Sequence, residues 1–105
     1  MQRVAFVMKL KPGNEEEEYK RRHDEIWPEM LAALRSAGIH NYSIFLHGEQ
    51  LFAYLEVDDF DRMAQALATD PANARWQAYM QPMIEVQTDE RTGFSTTLKE
   101  MFHMD

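Results

Sequence analysis

The stretch "NYSIFLHGEQLFAYLEV", Asn41–Val57, decides the fold. Two alternating apolar runs flank His47-Gly48-Glu49-Gln50, a pattern that predicts a β-hairpin. Ile44 beside Phe45 puts bulky apolar side chains on both faces of the first run, because successive strand residues point to opposite sides. Phe52 and Tyr54 add large rings to the second.

Upstream, "RVAFVMKLK" (Arg3–Lys11) alternates with period two and reads as a strand, with Val4, Phe6, Met8 and Leu10 on one face. "PGN" marks a turn, and Asn14 is the expected N-cap of a helix, with Glu17 at the reciprocal position of a capping box. Glu15–Glu18 then suit the positive end of the helix dipole. Tyr19, His23, Ile26, Trp27, Met30, Leu31 and Leu34 follow one face of this helix, and Arg21, Arg22, Glu25, Glu29 and Arg35 fall largely on the other. Pro28 lacks an N–H and crowds the preceding turn, so the helix kinks or restarts there; Gly38 closes it.

Downstream, "DDFDRMAQALATD" reads as a short helix. Asp70-Pro71 starts another, with Asp70 as N-cap, and this one carries Ala74, Trp76, Tyr79, Met80 and Met83. "QTDERTGFS" is loop-like, and "TTLKEMFHM" (Thr96–Met104) is the expected final strand. The order is β-α-β-β-α-β, a ferredoxin-like α+β plait over residues 1–105 as one domain. Helices cover one face of such a sheet. Phe6 beside Val7, Ile44 beside Phe45 and Met101 beside Phe102 make the other face apolar as well, so a homodimer is expected.

Bulk composition removes several functions. A formal net charge of −7 opposes a nucleic-acid partner. With no cysteine, there is no disulfide or thiolate metal site. No leader-like or membrane-spanning apolar run is apparent, which points to a cytoplasmic protein without a membrane partner. The four histidines His23, His40, His47 and His103 lack metal-ligand spacing, and the chain has no nucleophile elbow or phosphate loop.

His23 carries the chemical interest. It titrates near neutral pH and lies on an apolar stripe, with the Tyr19 hydroxyl one turn before and Trp27 one turn after. A phenol, an imidazole and an indole on one face suit a sugar pocket, where rings cover the C–H face and polar groups orient hydroxyls. They equally suit plain packing. Trp76 with Tyr79 and Met80 is an aromatic wall or core, and Tyr42 a rim hydroxyl or a packed ring.

"AFVMKLKPG" leading into "EEYKRRHDEIWPEM", then "HNYSIFL", "ARWQAYM" and a terminal "FHMD", together resemble the L-rhamnose mutarotase family across almost the whole chain. "RRHDEIWPE" is the most specific part. The resemblance implies a ferredoxin-like domain that pairs into a dimeric α+β barrel and interconverts the α and β anomers of a free 6-deoxyhexose, without a cofactor. It implies His23 as proton donor to the ring oxygen and Tyr19 and Tyr42 as substrate-binding. Trp76 matches the first of a tandem tryptophan that lines the sugar pocket. The second is replaced by Gln77, a hydrogen-bonding amide at a substrate-binding position, and "VQTDERTGFS" departs from the family's run before the last strand. These departures leave L-rhamnose, L-fucose or another deoxy sugar open as substrate. The base stays open among Tyr19, Tyr42, an acidic side chain and water. A charged resting imidazole would make exchange fall at alkaline pH. Two other classes fit the same barrel: another small enzyme, such as a monooxygenase or haem protein, and a sugar-binding module without catalysis.

Overall fold

The computed structural model describes residues 1–13 and 16–105, so the expected cap at Asn14 lies outside the described residues. Eight elements follow one another: β1 (Gln2–Leu10), α1 (Glu16–Asp24), α2 (Pro28–Ser36), β2 (Ile39–His47), β3 (Gln50–Val57), α3 (Phe60–Thr69), α4 (Pro71–Met80) and β4 (Ile84–Val86). The sheet order is β2-β3-β1-β4, with every neighbouring pair antiparallel. A helix starts at each of the two prolines where a restart was expected. Pro28 opens α2 with its fixed φ and missing donor, and Pro71 opens α4 behind the Asp70 cap, whose carboxylate accepts from Ala72 N and Asn73 N. Gly38, at φ +85°, takes the left-handed position that ends α2 and donates its N–H to Arg35 O.

The central hairpin turns on Gly48, at φ +63°. Val4, Phe6, Met8 and Leu10 of β1 and Leu51, Ala53, Leu55 and Val57 of β3 are buried on one sheet face. Met30, Met63, Leu67, Trp76 and Met80 from the helices close over them. Of the residues this helix carries, Trp76 and Met80 are buried and Ala74 is exposed. The opposite face keeps an apolar row across three strands. Val7 pairs with Phe52 and Phe52 with Phe45, which is 65% exposed.

The final strand is not Thr96–Met104. The fourth strand is Ile84–Val86, pairing with Met8–Leu10, and the chain then makes an excursion closed by a Thr88–Ser95 bridge. It returns to the same edge of β1 only at Thr97, opposite Phe6, where Leu98 N donates to Ala5 O at 2.7 Å. Glu100 reaches Arg3 by an ion pair, and Met101, Phe102 and Met104 project outward. Ile84–Val86 already occupies this edge of β1 at Met8–Leu10, and Thr96–Met104 meets the remainder only through the Thr97 bridge and the Leu98 N–H, whatever its own alternation.

Candidate functional site

A cleft of about 970 Å³ opens between the helices and the helix-facing side of the sheet. Tyr19, His23, Tyr42, Trp76 and Gln77 all line it. Trp27 does not. It sits behind Trp76, with ring centroids 5.2 Å apart, and contacts Tyr79 at 5.4 Å. The Thr88–Ser95 excursion adds Thr88, Phe94 and Ser95, and α4 adds Asn73. Sequence periodicity carried no signal for these four, because they approach through a loop and a helix junction.

His23 is held from three directions. Its Nδ1 lies 3.0 Å from Tyr19 O, which can only accept, so Nδ1 carries the proton and Nε2 is left for the cleft. The Tyr19 ring stacks on the imidazole at 4.4 Å and Trp76 meets it edge-on at 5.3 Å. Burial lowers the His23 pKa from its ordinary 6.5, with the Tyr19 carbonyl and Asp24 opposing in part, so the imidazole rests neutral at pH 7. Arg22, on the face assigned to solvent, instead ties α1 to α4. Its guanidinium donates to Tyr79 O at 2.7 Å and lies 4.1 Å above the Tyr79 ring, while Nε donates to Glu18. That clamp holds the His23 turn against Trp76.

Tyr42 reaches the cleft through a β-bulge. Between His40 (opposite Glu56) and Ser43 (opposite Tyr54), Asn41 and Tyr42 together face Leu55. Asn41 absorbs the extra residue at φ +50°, a left-handed conformation that asparagine tolerates better than most residues. Its amide donates to Glu56 Oε1 at 2.7 Å on the open face. The bulge resets the alternation, so Tyr42 turns inward along with Ile44 and Leu46. Without it, Tyr42 would share the open face of His40, two residues before it. Replacing Asn41 by valine, which resists positive φ, is expected to cost about 1–3 kcal/mol of stability in a urea melt. Asn41→Gly should change little, and equal losses in the two variants would show that the left-handed turn is not what matters.

Burial pushes the Tyr42 phenol up to about 12, and the enclosed end is the hydroxyl, since 36% of the residue is still exposed. Tyr19, 8% exposed, is pushed up further by burial and by the nearby Tyr42 phenol. Both are therefore protonated hydrogen-bond donors near neutral pH rather than bases. Lys20 and Asp24 also line the cleft but pair with each other at 2.9 Å. Among the described residues no three histidine or acidic side chains converge as a metal site would require, and no helix is long and apolar enough to cross a membrane.

Fold and cleft together define a ferredoxin-like α+β protein with a neutral imidazole and two phenols facing a cleft between helices and sheet. The L-rhamnose mutarotase family model matches residues 3–104. The chain is 42% identical to an L-rhamnose mutarotase from Oceanobacillus iheyensis over 107 residues, covering 100% of both chains. It superposes on the crystal structure of an L-rhamnose mutarotase from Formosa agariphila with a TM-score of 0.80 and 33% identity, again covering 100% of both. The tetracenomycin F2 cyclase of Streptomyces glaucescens shares the fold alone, with a TM-score of 0.66 at 14% identity and coverage of 100% and 98%. This chain belongs to the L-rhamnose mutarotase family.

Proposed function

We propose that the protein interconverts the α and β anomers of free L-rhamnose. Family membership over the full chain supports the substrate and the reaction, and the single observation that carries the mechanism is the His23 imidazole, its Nδ1 held by Tyr19 O and its Nε2 left to the cleft. Nε2 takes the proton from the anomeric hydroxyl as the C1–O5 bond breaks, and the resulting imidazolium returns that proton to O5. The open aldehyde turns about C1–C2, and the same transfers in reverse close the ring on the other face. No proton is gained or lost overall, and no covalent bond to the protein forms. His23 thus acts as proton donor only after loading from the sugar. The stacked Tyr19 ring and the Tyr19 carbonyl both favour the transient charge. The Tyr19 and Tyr42 phenols donate hydrogen bonds to sugar oxygens, Trp76 covers an apolar face of the ring, and Gln77 contacts a hydroxyl at the rim.

The test is exchange NMR on L-rhamnose beside L-fucose, read against pH. A neutral resting imidazole reverses the alkaline loss expected for a charged one. Exchange stays level above pH 6.5 and falls on the acid side, through an apparent pKa below His23's ordinary 6.5. The same group bears on stability: the unfolded chain takes up this proton at higher pH than the folded one, so its contribution is full above 6.5 and lost as pH falls through the lower folded value. Exchange that instead declined through the alkaline side of that value would overturn the proposed proton path.

The uncovered row Val7–Phe52–Phe45 supports a homodimer that seats this face against a second copy. Twice the chain mass is expected by light scattering at micromolar concentration, and Phe45→Glu should shift it toward the monomer. A monomer mass for the wild type would refute the assembly.

A further inference from the structure

We propose that Asn73 is a positioning residue that fixes the polarity of Gln77, so that the amide oxygen of the α4 wall is turned away from Asn73 and offered as an acceptor to one sugar hydroxyl. The inference rests on the sugar-isomerase reading above. Asn73 is the third residue of α4, its backbone N–H held by the Asp70 cap at 3.1 Å. Its side-chain amide lies 3.0 Å from Leu67 O at the end of α3. A carbonyl oxygen can only accept, so the Asn73 NH₂ end faces Leu67 and its Oδ1 faces away. One turn on, Oδ1 lies 3.1 Å from the Gln77 side chain. An acceptor there takes one N–H of the Gln77 NH₂, which fixes that end toward Asn73 and turns Oε1 away as the acceptor available to a ligand. Both residues line the cleft, and Gln77 adjoins Trp76. A backbone carbonyl thus sets the orientation of two amides in series. The fixed glutamine recognises an O–H that can donate, where a freely turning amide would accept either partner.

Monodeoxyfluoro sugars separate the two cases, since C–F replaces a hydroxyl at similar size but cannot donate. Dissociation constants are measured by ligand-observed NMR for L-rhamnose and for its analogues fluorinated at each non-anomeric hydroxyl position. The proteins are wild type, Gln77→Met, Asn73→Ala and Asn73→Asp, each checked by thermal melting. At one position the wild type should bind the fluoro sugar about three- to tenfold more weakly than L-rhamnose, the span of one net hydrogen bond. Gln77→Met should lose that discrimination. Asn73→Ala should lose much of it by freeing the amide, while Asn73→Asp, which keeps an acceptor for the Gln77 NH₂, should retain it. Because Asn73 also caps α3, the discrimination ratio decides the matter and overall affinity does not. Equal ratios at every position in wild type and Gln77→Met, with anomer exchange intact, would overturn the inference alone. A wild type that exchanges no anomers would overturn the reading beneath it.

Discussion

His23→Ala lowers the α/β exchange rate of L-rhamnose by about 10²–10⁴-fold, the usual contribution of a positioned acid–base group. Alanine favours the helical backbone of α1, and the Arg22 link to Tyr79 O is untouched, so the fold should persist. His23→Gln is the companion variant: it can still hydrogen-bond the sugar but cannot carry a proton at neutral pH. The two should be similarly slow while differing in affinity. Exchange within a few-fold of wild type in a folded His23→Ala protein would return His23 to a packing role, since it is the one histidine among the described lining residues of the cleft.

Trp76→Ala is expected to cause the largest loss of stability, about 3–5 kcal/mol for an indole that is 6% exposed. Its ring touches His23, Trp27 and Tyr79 at 5.3, 5.2 and 5.8 Å, so one deletion removes the common neighbour of all three. For a chain of 105 residues the melting temperature should drop by roughly 12 °C or more. Trp76→Phe keeps an aromatic edge and should lose far less. Trp27→Ala should also lose less, because Trp27 is only half-buried. The chemical consequence separates the roles: Trp76→Ala should lower exchange even at temperatures where it remains folded, since the imidazole loses its edge contact and the sugar its apolar wall. Thermal melts and exchange rates on the same samples check both. A small loss of stability would mean that the cleft collapses to fill the gap.

Much of the fold was legible because its signals are local. The period of β1, the Gly48 turn, the proline starts of α2 and α4 and the Asp70 cap each depend on a few neighbouring residues. The final strand was misplaced because pairing depends on a distant edge, and alternation in Thr96–Met104 says nothing about Ile84–Val86 taking that edge of β1 first. Of the candidate site, Tyr19 and His23 could be read from helical spacing. Trp27 shared that spacing yet lies behind the wall, since α1 ends at Asp24 and Trp27 is the extended residue that precedes α2.

By itself, then, the sequence determined the β-α-β-β-α-β order, the proline starts of α2 and α4 and the presence of an imidazole on an inward-facing stripe, all consequences of covalent geometry and short-range periodicity. Only the tertiary structure decided that His23 rests neutral, because its charge is penalised by burial against side chains from α4 as well as from its own helix. It likewise decided that the Asn41 bulge turns Tyr42 inward, and that Leu67 O orients Asn73 and through it Gln77. Those properties arise between segments distant in the chain or across a junction, where desolvation and hydrogen-bond direction depend on three-dimensional neighbours that no local pattern encodes.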